Sequence, residues 1–281
     1  MRIGFIGAGK VGFTLGKYFA EHGLALSGYF SRSEESAQEA AEFTGSRKYA
    51  DISQLIADSD AVFITVPDGA ITGVYQEIKK CGISGKQLCH CSGALSAADA
   101  FPDIESHGAE GYSLHPLFPV SSKYDSCKTI GSAYFCIEGS SAHLLDWQAF
   151  FESLGNPVRT LSAESKTEYH AACAVASNLV CALIAESTEM LEHCGFSGHE
   201  ALSALEPLIR ANVDSILKNG AVSALTGPVE RADAGTVQKH LGCFANECDR
   251  ELYRAVSAKL VHIAKAKHPE KDYTGLEELL K

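Results

Sequence analysis

The tightest constraint on this chain lies in its first twelve residues. Ile3-Gly4-Phe5-Ile6 is an apolar run of strand length, and it leads directly into Gly7-Ala8-Gly9-Lys10-Val11-Gly12. A G-x-G-x-x-G spacing carries information only when it follows a strand and opens a helix. From Lys10 to His22 the apolar residues Val11, Leu15, Tyr18 and Phe19 recur on one helical face, so both conditions are met. In such a turn the first glycine permits the tight bend, the second lets the backbone approach a pyrophosphate, and the third lets the helix pack closely on the strand. The helix N-terminus then offers free N–H groups to an anion. Gly7, Ala8, Gly9, Lys10, Val11 and Gly12 are therefore expected to face a dinucleotide.

The rest of the first half repeats the strand–helix alternation. Strands are expected at Ala25–Phe30, Ala61–Val66, Leu88–Cys91, Gly111–His115 and Ala133–Ile137, with helices at Glu34–Phe43 and Ile71–Lys80. Such alternation implies a parallel sheet covered by helices on both faces. The second half changes character. A stretch from about Ser165 to Cys194 has neither Pro nor Gly and reads as one long helix ended at Gly195. His199–Asn219 reads as a helix broken or kinked at Pro207. Val237–Leu241 and Asn246–Lys267 are further helices, and no strand is expected after Pro157. The fold class is α/β: a Rossmann-type doubly wound parallel sheet, residues 1–158, followed by an all-α domain, residues 159–281.

Composition excludes several classes. Apolar residues make up 46% and charged residues 21% of the 281, which removes disordered and fibrous readings. The net charge of −11 without a basic cluster argues against a nucleic-acid partner. No secretory signal and no membrane span are expected. Ten cysteines without a signal peptide read as reduced thiols, and a cytoplasmic protein is expected. Cys89-His90-Cys91 reads as an alternating buried strand, and no metal site and no disulfide are expected, because the paired ligand spacing of zinc sites does not occur.

The end of the second strand bears on cofactor choice. A carboxylate there accepts from a ribose 2′-OH and repels a 2′-phosphate. This chain has Ser31-Arg32-Ser33 instead, and an arginine fork grips phosphate oxygens, so NADP is expected over NAD. Val66 and Pro67 end the next strong strand at the carboxyl edge, where ligands of such sheets bind. Ser92, in Cys91-Ser92-Gly93-Ala94, and His115, in His115-Pro116, fall at the same edge. Lys166 and His170 share one stripe of the long helix with Cys173 and Ser177, and Asn178 lies to one side of it. A lysine beside a histidine suits polarising a carbonyl and protonating the alkoxide left by hydride transfer. In the loop Thr226–Thr236, Arg231 is a candidate carboxylate ligand, and Asp233 reads first as a helix cap. These mostly cationic groups in an acidic chain imply a small anionic substrate. The surplus apolar face of the long helix, with Leu179, Leu183 and Leu191, suggests a homodimer.

Over nearly its whole length the chain resembles the two-domain, Rossmann-like NADP oxidoreductases that carry a helical C-terminal domain of unknown function. The resemblance rests on Gly7–Gly12, His90-Cys91-Ser92-Gly93-Ala94-Leu95, Ser113-Leu114-His115-Pro116, Lys166-x-x-x-His170-x-Ala172 with Ser177-Asn178, and Gly227-Pro228 through Arg231-x-Asp233-x-Gly235-Thr236. The wider group includes 6-phosphogluconate dehydrogenase, ketopantoate reductase and pyrroline-5-carboxylate reductase. In its dehydrogenases a helix lysine is followed four residues later by asparagine; here Lys166 matches and His170 stands at the asparagine position. Some members resemble an alternative ketopantoate reductase. The resemblance therefore implies reduction of a keto acid, ketopantoate first, by NADPH. Two other readings stay open: a dehydrogenase of another carboxylated substrate, prephenate-like or an imine, and a non-catalytic NADP-binding redox sensor. A deazaflavin in place of the nicotinamide also stays open.

Overall fold

A computed structural model describes every residue from Met1 to Lys281 and divides the chain into two units, Met1–Ser177 and Asn178–Lys281. In the first unit the order is β1 (Arg2–Ile6), α1 (Lys10–Glu21), β2 (Ala25–Phe30), α2 (Glu34–Thr44), β3 (Arg47–Lys48), α3 (Ile52–Ala57), β4 (Ala61–Ile64) and α4 (Asp68–Ile78). Then come β5 (Gln87–His90), α5 (Ala97–Ala100), β6 (Glu110–Leu117), β7 (Tyr134–Gly139), α6 (Leu144–Ser153), β8 (Val158–Thr160) and α7 (Lys166–Ala176). The eight strands form one sheet in the order β3-β2-β1-β4-β5-β6-β7-β8.

Strand alternation sorts the apolar side chains to two faces. Ile3, Phe5, Ala61 and Phe63 join one buried cluster with Leu15 and Phe19 of α1 and with Trp147 and Phe151 of α6. Ile6, Val62 and Ile64 point the other way, into a second cluster with Leu55 and Ile56 of α3 and Ile71 and Tyr75 of α4. Both faces are thus covered, as the near-continuous apolar reading of Ala61–Ile64 requires.

The second unit holds α8 (Asn178–His193), α9 (Gly198–Ala224), α10 (Ala234–Leu241), α11 (Glu247–Lys267) and α12 (Thr274–Leu279). Its core joins Val229 of the preceding loop to Val237, Leu241, Val261, Ala264, Tyr273 and Leu276. That loop is well anchored. Asp233 caps α10, its Oδ1 accepting from Thr236 N at 2.9 Å, as expected, and Tyr273 Oη donates to the Glu230 carbonyl at 2.9 Å.

Several expectations need correction. The sheet is not wholly parallel, because β6 and β7 pair antiparallel. A strand does follow Pro157: β8 pairs in parallel with β7 through Val158–Thr160, a run too short for its alternation to be read in sequence. The β4 strand stops at Ile64, two residues before the expected Val66. The long helix is interrupted at Ser177, whose φ of −126° and ψ of −71° separate α7 from α8. The chain divides at that break and not at 158/159, because Lys166 fastens α7 to the sheet. The kink in α9 lies at Gly220, with φ 78° and ψ 158°, and Pro207 is carried within the helix. Against the expectation of no spanning segment, the stretch Ala163–His193 is by length and composition apolar enough to cross a membrane, with mean hydropathy 1.5 in its most apolar window.

Candidate active site

The glycine turn forms one wall of a cavity of about 420 Å³ lined by Ile6–Gly9, Phe30–Arg32, Ser36, Thr65–Pro67 and Ala70. The three glycines differ in what they answer to. Gly7 has φ +105°, and a Cβ there would meet the Thr65 carbonyl at 2.8 Å; a Cβ on Gly12 would stand 2.7 Å from both Gly7 O and Thr65 Oγ1. Those two are required by the chain's own packing. At Gly9 the nearest atom to an added Cβ is 3.9 Å away, so nothing in the protein demands a glycine there. Gly9 is the N-cap of α1 and supplies no side chain to its first N–H groups, and no acidic residue occupies the first turn. Together with the cavity, these open donors fit a pyrophosphate. Arg32 is exposed on the cavity rim and takes part in none of the chain's ion pairs, and no carboxylate ends β2. These residues fit a 2′-phosphorylated dinucleotide. Ser33 caps α2, its Oγ accepting from Ser36 N at 3.1 Å. Lys10 is exposed at the start of α1, and Val11 is half-buried against the core.

The chemistry-bearing residues gather on the next two strands. Along β6 and β7, Leu114 pairs with Ile137 and Pro116 with Phe135, and Leu114, Phe135 and Ile137 all enter the core. The opposite face carries Ser113 across from Glu138 and His115 across from Cys136. The alternation of two thus sets a polar patch directly behind an apolar one. Helix α7 supplies the partners. Lys166, only 2% exposed, donates from Nζ to the Ser92 carbonyl at 2.9 Å and to Ser113 Oγ at 2.6 Å. Burial lowers its pKa, and Glu138 is the largest influence in the other direction. Tyr169 Oη and His115 Nδ1 share a hydrogen bond of 2.6 Å, with the rings edge to face. Burial, then Lys166 and His170, push His115 down to about 4, so its ring is neutral at neutral pH.

Gly93 is the point on which the rings converge. A Cβ there would lie 2.7 Å from His170 Cδ2 and 2.9 Å from His115 Nε2. His170 itself is exposed. Ser92 ties this turn to the cavity beside it: its Oγ donates to Asp68 Oδ2, at the start of α4, at 2.6 Å and accepts from Ala94 N and Leu95 N. Below the turn His90 is fully buried, and its Nδ1 accepts from Ser92 N at 3.2 Å. Burial holds its pKa down to about 3.

Of the expected site residues, Ser92, His115, Lys166 and His170 come together here. Ser92 and Lys166 are more committed to holding the turn than expected: the hydroxyl is engaged by Asp68, and two of the three ammonium donors by Ser92 and Ser113. Asn178 and Arg231 belong to the second unit, with Arg231 exposed. Val66 and Pro67 line the cavity as expected. Tyr169, Asp68 and Glu138 are not among the expected site residues, and Ser113 enters the sequence reading only as the first residue of the Ser113–Pro116 motif. Tyr169 had a signal, three residues after Lys166 and beside His170, whereas Glu138, and its place beside Ser113, are revealed only by strand register.

The protein of known structure TM1727 from Thermotoga maritima is 26% identical to this chain, with a TM-score of 0.72 over 94% of this chain and 99% of that one. A reductive aminase from Aspergillus terreus, in complex with NADPH and ethyl-5-oxohexanoate, is 16% identical, with a TM-score of 0.65 over 100% and 99%. An imine reductase from Myxococcus stipitatus, in complex with NADP+, is 19% identical, with a TM-score of 0.64 over 100% of both chains. At these last two identities the likeness is one of fold. No curated protein sequence matches the chain. Two family models match parts of the chain: a Rossmann-like domain over residues 1–116 and the domain of unknown function DUF2520 over residues 133–260.

Proposed function

We propose that the protein is an NADPH-dependent oxidoreductase that reduces a small carbonyl compound. The observation that carries this reading is the Ser92–Asp68 hydrogen bond, which fixes the Ser92–Gly93 turn, with its two histidines and Lys166, against the first turn of α4 on the cavity of the glycine loop. NADPH would be held by Gly7–Gly12, Ser31 and Arg32, with Val66 and Pro67 beside it. Bound there, the reduced nicotinamide supplies a hydride. His170 is the exposed group positioned to give a proton to the substrate atom. His115, neutral and fixed by Tyr169, orients the substrate by hydrogen bonding from Nε2 beside Gly93. Lys166 holds the Ser92 carbonyl and adds positive potential.

Among substrates, a small anionic keto acid, ketopantoate first, follows from the resemblance and from the positive charge of Lys166 under the turn. An imine is the second reading, because a neutral His115 and a largely engaged Lys166 leave the turn less cationic than the sequence implied. Neighbours of the same fold include imine-reducing enzymes. The test is a panel of small 2-keto acids and cyclic imines with NADPH, followed by nicotinamide absorbance. Turnover of keto acids alone favours the first reading, and turnover of imines alone the second. Tight NADPH binding with no turnover of either would replace both with a redox sensor.

The helical unit is also proposed to form a homodimer. Leu179, Leu183, Leu202, Leu208 and Leu217 are all exposed along α8 and α9, and clustered exposed apolar residues mark interaction surfaces.

A further inference from the structure

Lys166 is an ammonium group taken almost wholly out of water, and the two oxygens it donates to are both neutral: the Ser92 carbonyl and Ser113 Oγ. A buried cation without a counter-charge is costly. The register supplies one. Ser113 on β6 stands directly across from Glu138 on β7, so the two side chains lie side by side on the face that α7 covers. Glu138 is 5% exposed, and its Oε1 accepts from Ala97 N, at the start of α5, at 2.6 Å.

We propose that Glu138 is the positioning residue for Lys166: a buried carboxylate that, from across the β6–β7 pair and beside Ser113, anchors the lysine's ammonium under the Ser92–Gly93 turn. Ala97 N–H holds Glu138 at one end, and at the other Lys166 and Ser113 Oγ both donate to the Ser92 carbonyl. The electrostatics agree in direction. Among the groups around Lys166, Glu138 and Cys136 on β7, Cys91 after β5 and Asp68 on α4 all favour its charged form, with Glu138 first. Lys166 in turn disfavours protonation of His90 and His115. Burial raises Glu138 itself, Ala97 N–H and Lys166 oppose that, and Asp99 and Glu164 add to it. The proposal takes from the reductase reading only that Lys166 belongs to the site.

The test reads the lysine and not turnover, so it stands even if no substrate is found. Protein carrying isotope-labelled lysine is titrated by NMR, with Lys166→Met used to assign the signal. Glu138→Gln is expected to move the Lys166 titration down by about one pH unit or more, and Glu138→Asp to bring it back toward the wild-type value. An unchanged titration in Glu138→Gln overturns the proposal. If Glu138→Gln does not fold, the Glu138→Gln/Lys166→Met double variant is expected to, since the uncompensated cation leaves with its counter-charge. A double variant that also stays unfolded overturns it.

Discussion

Single residues divide here between those the fold needs and those only a ligand needs, and the glycine turn separates the two. Gly12→Ala forces a Cβ onto backbone and Thr65 and is expected to lower the unfolding midpoint. Gly9→Ala meets only the Thr65 carbonyl oxygen, at an ordinary van der Waals distance of 3.9 Å, so it should melt like the wild type while losing NADPH affinity in a fluorescence titration. Arg32→Ala should weaken NADPH but not NADH by roughly ten- to a hundredfold, the worth of a charge-assisted phosphate contact; equal weakening of both would remove Arg32 from the phosphate. His115 gives a pH signature. Its pKa in the folded chain is about 4 against an ordinary 6.5, so between those values the unfolded chain binds the proton more readily. Stability should therefore fall as pH drops from about 6.5 to 4, by on the order of 3 kcal/mol for this ring. Unfolding midpoints of His115→Gln across that window should fall less steeply, and an identical slope would clear the ring of the effect. At this scale the sequence is informative wherever chemistry is local. The glycine spacing, Ser31-Arg32 and the Lys166–His170 stripe are readable because their partners lie within a few positions. Glu138 and Ser113 are not, because their pairing depends on a register set across 25 residues.

Elements show the same division between local and distant causes. The α10 cap is written in one turn of sequence, Asp233 to Thr236, and it forms as read. Asp233→Ala is expected to cost about 1 kcal/mol in chemical denaturation, the usual worth of such a cap; Asp233→Asn should retain most of it. Strand β8 is opaque for the opposite reason: three residues cannot show alternation, and the strand exists because β7 offers an edge to pair with. The break at Ser177 and the kink at Gly220 were likewise hidden. Pro207 is the stronger breaker by propensity, yet α9 carries it and bends at Gly220, where φ is positive.

For the molecule as a whole, the open question is what covers the apolar faces of α8 and α9. Leu217 is 80% and Leu208 67% exposed. If a second copy covers them, light scattering at micromolar concentration gives twice the chain mass, and Leu208→Glu with Leu217→Glu shifts it toward the monomer. A monomeric wild type would remove the dimer and leave those helices to another partner. The stretch Ala163–His193 would satisfy a membrane by composition, but its first turns are held to the sheet through Lys166 and Tyr169. The two-unit plan was legible from the loss of strand signal in the second half. Its dividing point was not, because a helix that looks like the start of the second unit is pinned by one lysine to the first.

The unequal demands on the three glycines also say how such a turn would age. Gly7 and Gly12 are kept by packing alone, so a descendant that abandoned its nucleotide would be slow to replace them. Gly9 answers only to the ligand, and it would be the first to drift. Among proteins that share this architecture, a side chain at that one position would mark a lineage in which the cofactor has been given up while the scaffold persists.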